Sequence, residues 1–195
     1  MLTDIESGKI VIVSDADKLD GSFMVALPIN RSYAIQVSFN SYLPYSLNFD
    51  LKIPDGQTHY HIDVPLNPIN STTENVLANV FFDLNKSSLR QESAIELKNL
   101  AEFLRKNPNL KIELGGHTDT RGNAVENLAL STARAKTVYD YLISAEGIDP
   151  KRLTFVGYGE TMPLMDDIGI AKLKNEIEIE KAHQKNRRTV YKIIK

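Results

Sequence analysis

At 195 residues, with 42% apolar and 25% charged, the chain has the composition of a folded globular protein long enough for one large or two small domains. A formal charge of −2 leaves no excess of Lys and Arg to neutralise phosphates, which argues against nucleic acid or acidic lipid as partner and makes any recognition local. The absence of cysteine excludes disulfides and thiolate metal sites, and no stretch approaches the ~20 apolar residues of a membrane-crossing helix, so no direct membrane insertion is expected of these residues.

The opening, MLTDIESGKIVIVSDAD, lacks the basic region, apolar region and cleavage site of an export signal. Either the protein stays inside, or its signal is missing from this segment. Residues 1–70 read as short extended segments, Ile10–Val13, Phe23–Leu27, Tyr33–Phe39, Leu47–Leu51 and His59–Val64, separated by Asp20-Gly21, Pro28, Pro44 and Asp55-Gly56. That is an all-β pattern. Tyr33, Ile35, Val37 and Phe39 share one parity, so a strand there buries one face and exposes the other.

After Pro65, Pro68 and the polar run NSTTEN, strands in series give way to strands alternating with helices. This change places a domain boundary there, with a second domain over 76–195. Val76–Phe82 is an apolar run fit for a buried strand, and Ser88-Leu-Arg-Gln91 has the spacing of a capping box at a helix start. The helix carries Ala94, Leu97, Leu100, Ala101 and Leu104 on one face and stops at Asn107-Pro108-Asn109. Leu110–Leu114 is a second strand, ended by Gly115-Gly116. A second helix begins near Asn123, whose side chain can cap while Glu126 completes the box, and runs to about Ala145 with a stripe of Leu130, Ala135, Val138 and Leu142. Arg152–Val156 is a third strand, Gly157-Tyr158-Gly159 a turn and Arg188–Ile194 a last strand. Between them, Ala171–Lys185 is charge-dense and predicts a surface helix pinned by Leu173 and Ile177.

Five linked elements stand in order along the second half: FFD before the first helix, GHTD after the second strand, NxxLSxxRAxxV on the second helix, GYGE after the third strand, and NRR opening the last. Over roughly residues 76–195 this resembles the C-terminal domain of outer-membrane protein A and its relatives, which include the peptidoglycan-associated lipoprotein and the stator protein of the flagellar motor. The resemblance implies a two-layer α/β sandwich with a mixed four-stranded sheet, hence an α+β chain overall. Residues 1–70, through DGSFMVALPINRSYAIQVSFNSYLPYS, resemble more loosely the small β-sandwich modules related to the carboxypeptidase regulatory domain. Such modules precede this anchor domain in outer-membrane proteins of the Bacteroidota, and a spacer or partner-binding role is expected.

Elementary chemistry gives the same residues a task. Asp119 follows the second strand and precedes a helix, Arg134 lies about three turns into that helix, and Gly122 permits a tight return of the backbone between them. A carboxylate and a guanidinium facing each other across a helix N-terminus suit a zwitterion, whose ammonium goes to Asp119 and whose carboxylate goes to the Arg134 fork. The resemblance implies which zwitterion: the diaminopimelate side-chain terminus of an uncrosslinked peptidoglycan stem peptide. It also implies that Thr118, Asn127, Leu130, Phe82 and Asp83 line the site. The expected location is the periplasm, at the outer membrane, with an outer-membrane partner domain upstream and no cofactor.

Other readings compete. Arg134 alone could be a structural partner of Asp119 or Glu126, and Asn186-Arg187-Arg188 reads as structural, with the Asn fixing a turn and an Arg covering the site's edge. His117 with Asp119, and His59 with His61 and Asp63, have metal-ligand spacing, but a metal site needs three or four convergent ligands. Asp15, Asp17 and Asp20-Gly21 fit a hairpin turn better than a calcium loop, since the Gly is one place late and no Glu closes it. No nucleophile elbow, phosphate loop or paired acid and base is present, so an enzyme is not expected. A wall hydrolase and a protein-interaction module of the envelope stay as alternatives. The segment 164–185 is longer than most relatives carry and could cover one end of the groove or bind something else.

Overall fold

The computed structural model describes residues 1–53, 59–70, 73–83 and 85–194. The period-two pattern around Tyr33 forms the central strand of an antiparallel sheet, because alternate side chains point to opposite faces. Its strands are β1 (Leu2–Asp4), β2 (Ile10–Ile12), β3 (Arg31–Val37) and β4 (Tyr45–Leu51), in the order β2-β1-β3-β4. One face carries a small core of Leu2, Tyr33 and Leu51, against which Ile12, Leu27, Phe49 and Ile53 pack. β1 escaped the sequence reading because three residues are too few to show a period. Phe23–Leu27 and His59–Val64, expected as extended segments, pair with no strand. Asp55-Gly56 and part of NSTTEN lie outside the described residues.

The opposite face of this sheet, read from sequence as exposed, is covered. Strand register puts Thr3, Ala34 and Asn48 side by side, with Gln36 beside Ser46, and Ala34 is only 9% exposed. Asn48 Nδ2 donates to Ala78 O at 2.6 Å, and Ser46 Oγ donates to Val76 O at 3.1 Å while accepting from Ala78 N at 3.0 Å. Gln36 Nε2 donates to the buried Glu96 carboxylate at 2.5 Å. Small polar residues suit a face that meets backbone and helix rather than water. Leu43, just before β4, also enters the large core of the second half.

That second half is a mixed sheet of β5 (Asn75–Val76), β6 (Lys111–His117), β7 (Leu153–Gly159) and β8 (Thr189–Ile194), ordered β5-β8-β6-β7. β6 and β7 are parallel; β8 runs antiparallel to β6 and β5. Helices α1 (Ser93–Lys106) and α2 (Ala124–Ser144) bury Leu97, Leu100, Ala101, Leu104, Val138 and Leu142 against Ile112, Leu114, Leu153 and Tyr191. Burial of this set supplies the main stabilisation, at about 1.5–3 kcal/mol per large aliphatic side chain. Two shorter helices, α3 (Asp167–Ile170) and α4 (Glu176–Asn186), precede β8.

Several local expectations are revised. Within Val76–Phe82 the strand stops at Val76, and Phe82 returns only as an isolated bridge to Leu89. That bridge occupies the Ser88–Gln91 stretch, so the capping box does not form and α1 starts at Ser93, whose hydroxyl bonds the backbone of Phe81 instead. The paired glycines do not end β6, nor does Gly157 turn β7. A Cβ on Gly116 would lie 2.2 Å from Ser131 O, and one on Gly157 2.1 Å from Thr132 Oγ1. These glycines let α2 lie directly on the sheet. For the same reason Ser131, rather than Leu130, is a fully buried residue of the α2 stripe. On α4 the seam is Ala182, His183 and Asn186, and Ile177 is 65% exposed.

Candidate functional site

The close packing of α2 on β6 and β7 brings the ends of these elements together. Thr118 N donates to Gly159 O at 2.9 Å, extending the β6–β7 pairing by one step before the chain leaves the sheet at Asp119. Asn123 caps α2 as anticipated, its Oδ1 accepting from Val125 N at 2.8 Å and Glu126 N at 3.3 Å, and Gly122 takes φ +97°. One turn into α2, Asn127 Nδ2 holds the loop by donating to Arg121 O at 3.1 Å and Asp119 O at 3.4 Å, and it also reaches Glu160 Oε2 at 2.6 Å.

The Asp119 carboxylate is buried and held by two guanidiniums. Oδ2 accepts from Arg121 Nη2 at 2.7 Å and Nε at 3.2 Å, and also from Arg187 Nη1; Oδ1 accepts from Arg121 N at 3.1 Å. Desolvation works to raise the pKa of Asp119, but the hydrogen bonds from Arg121 and Arg187 outweigh it and hold the carboxyl below its ordinary value. Above the carboxylate, Glu180 on α4 bridges the same two arginines, at 2.9 Å from Arg121 Nη1 and 2.7 Å from Arg187 Nη2.

Arg134 lies seven residues beyond Asn127 on the same helix, so the two project from one face about 10 Å apart. Its Nε donates to Lys86 O at 3.0 Å and Nη2 to Asp83 O at 3.4 Å, with the guanidinium 5.1 Å from the Phe82 ring centroid. Desolvation lowers its pKa first, the charge of Arg187 lowers it further, and the charge of Asp119 opposes both. Asp119 and Arg134 therefore share one electrostatic neighbourhood without a direct bond between them.

Phe82 and Asp83 thus support Arg134, the first with its ring and the second with its carbonyl, while the Asp83 carboxylate turns to Arg90 at 2.9 Å. Leu130 is half-buried on the same helix, and Thr118 is buried beside Asp119. Asn186 fixes a turn, as expected: its Oδ1 accepts from Leu164 N and Met165 N, and its Nδ2 donates to Met165 O. Arg187 covers the site's edge. Arg188 is buried against Met162 O and Glu74. Arg121 and Glu180 were not anticipated as part of the site. His117 turns away from Asp119 to stack on Tyr158, with ring centroids 4.9 Å apart, and His61 pairs with Asp63 at 3.0 Å.

A parallel β6–α2–β7 unit with glycine-spaced helix contact thus closes on a buried carboxylate held by Arg121 and Arg187. Residues 81–187 match the OmpA family, and the chain belongs to it. The outer membrane porin F of Pseudomonas aeruginosa is 34% identical over 116 residues, 60% of this chain and 33% of the porin. The peptidoglycan-associated lipoprotein of Rhizobium meliloti is 39% identical over 98 residues, 49% of this chain and 55% of the lipoprotein. The crystal structure of the peptidoglycan-associated lipoprotein from Burkholderia pseudomallei aligns at a TM-score of 0.49 and 27% identity, covering 59% of this chain and 88% of that one. The chain thus spans about a third of the porin and about half of the Rhizobium lipoprotein.

Proposed function

We propose that this protein binds peptidoglycan non-covalently and anchors an envelope assembly to the cell wall from the periplasmic side, and that its ligand is the diaminopimelate terminus of an uncrosslinked stem peptide. In this role it binds and does not catalyse; the family match over 81–187 and the likeness to a peptidoglycan-associated lipoprotein support that reading. The observation that carries the finer reading is the Asp119 carboxylate held by Arg121 and Arg187 at the end of β6, with Arg134 on α2 near enough to feel its charge, inside the segment that matches the family. The ligand's ammonium goes to Asp119 and its carboxylate to Arg134. Asp119 already holds two guanidiniums, so the ammonium shares its carboxylate with Arg121 and Arg187, which stay in place. An outer-membrane partner domain upstream would complete the anchor.

Each half-exposed charge pair contributes about 0.2–1 kcal/mol, rising to about 1.5–3 kcal/mol for a shielded charged hydrogen bond, so a single site binds weakly. Anchoring then comes from many sites on one sacculus. Lysine-type peptidoglycan lacks the carboxylate for Arg134 and is disfavoured by about 1–3 kcal/mol. The test is co-sedimentation with purified sacculi. Asp119→Ala and Arg134→Ala each abolish pelleting with unchanged circular dichroism; retained pelleting by both variants refutes the assignment.

A further inference from the structure

Arg121 and Arg187 form a carboxylate site in their own right. Each guanidinium gives one edge to Asp119 and turns another nitrogen to the same external acceptor, the Glu180 carboxylate, which receives Arg121 Nη1 on Oε2 and Arg187 Nη2 on Oε1. Two convergent guanidiniums, one on each oxygen, are the arrangement that recognises a free carboxylate. The occupant here comes from α4, 59 positions from Arg121 in sequence, and its side chain is 54% exposed, so it leaves without opening the core. Removal of Glu180 leaves Arg121 and Arg187 sharing the single carboxylate of Asp119, so the pair's demand for an anion rises.

We infer that Glu180 is an internal stand-in for a ligand carboxylate, which the second carboxylate of a bound dicarboxylic amino acid replaces. This deepens the proposed function, since it gives the two carboxylates of a diaminopimelate that ends its stem peptide separate receivers: Arg134 takes the side-chain one, and the Arg121–Arg187 pair takes the main-chain one. α4 is then a self-gate over Asp119 and its two arginines. Thr120 Oγ1, bonded to Asp167 Oδ1 at 2.5 Å, ties the same loop to α3 and keeps the gate in register. Glu180 competes with every incoming carboxylate, so its loss tightens binding by about three- to tenfold, as expected for two exposed ion pairs.

The experiment follows arginine side-chain Nε–Hε resonances in the full chain while sodium acetate is added, for wild type and Glu180→Gln. The expected result is that acetate moves Arg121 and Arg187 in the variant at a concentration about three- to tenfold lower than in wild type, with matching thermal melts. Equal midpoints in the two proteins, or movement of Arg134 alone, overturn the stand-in. This arm does not depend on peptidoglycan. A second arm titrates meso-diaminopimelate and lysine: Glu180→Gln tightens the first more than the second, whose single carboxylate cannot occupy Arg134 and the Arg121–Arg187 pair together. An equal gain for both ligands, or none for diaminopimelate, overturns the two-receiver assignment. Binding of diaminopimelate that survives Asp119→Ala and Arg134→Ala counts instead against the site itself.

Discussion

Gly116 and Ser131 are in backbone contact: a Cβ built on the glycine would sit 2.2 Å from the serine carbonyl oxygen and 2.9 Å from its carbonyl carbon. No side-chain rotation relieves a clash with backbone, so α2 must shift for any other residue to fit. Ser131 Oγ donates to Leu128 O and accepts from Gly159 N at 2.9 Å, so the shift would also loosen the end of β7. Gly116→Ala is expected to cost more than the ~1–3 kcal/mol of ordinary overpacking. Urea unfolding measures the loss, and sacculus pelleting falls with it, since α2 carries Asn127 and Arg134 together. A variant as stable as wild type would show that α2 does not rest on the sheet at this point.

Some of this arrangement was legible in the sequence, and some was not. The Asn123 cap could be read because its partners, Val125 N and Glu126 N, are its neighbours in sequence. Leu97, Leu100 and Leu104 could be read from helical spacing. Gly115, Gly116 and Gly157 looked like strand ends because a glycine's composition signal is the same whether it turns the chain or admits a helix. The polar face of β3 looked solvated because nothing in Ala34 or Gln36 announces the α1 helix that covers it. Asp119 and Arg134 stood out through motif spacing, yet the partners that Asp119 holds did not. Arg187 is 68 positions away, and Arg121, only two away, carries no spacing signal that distinguishes it from any other charged loop residue.

Arg134 is held by geometry that only a guanidinium satisfies. It reaches two carbonyls, Lys86 O and Asp83 O, from different nitrogens while covering the Phe82 ring. A lysine keeps the charge but has neither the fork nor the flat face. Arg134→Lys should therefore change stability by no more than about 1 kcal/mol while weakening diaminopimelate binding by about tenfold, a loss of about 1.4 kcal/mol. Calorimetric titration beside a thermal melt separates the two effects. Full retention of affinity would mean that charge alone suffices and that no bidentate contact is made.

Asn186 has 0% exposure and satisfies three backbone groups of the 164–165 turn at once. Alanine there strands those groups away from water, at about 1–3 kcal/mol. Because Arg187 follows directly, the same change should also move its guanidinium off Asp119. Asn186→Ala is thus expected to lower the urea midpoint and shift the Arg187 Nε resonance, whereas a purely local turn defect would leave the resonance in place.

Two buried groups, His117 and Glu96, act on the pH dependence of this fold with opposite signs. Desolvation, aided by Arg188 and Lys192, pushes the His117 pKa down to about 4 from 6.5. Its unfolded form binds a proton more readily, so its contribution to stability is whole above pH 6.5 and is lost as pH falls toward 4. Glu96 is the reverse case: desolvation raises its pKa from 4.5 against the hydrogen bonds of Ser46, Gln36 and Asn79. Here the folded form binds the proton more readily, so stability declines as pH climbs above 4.5 toward the raised value. His117→Phe keeps a ring against Tyr158 and should flatten the acid limb of the stability curve between pH 6.5 and 4. Glu96→Gln keeps an acceptor for Gln36 and Asn79 and should remove the opposing decline, raising stability at neutral pH. Urea unfolding in half-unit steps from pH 4 to 8 gives the slopes directly. Curves for either variant that run parallel to wild type would assign the pH dependence to other groups.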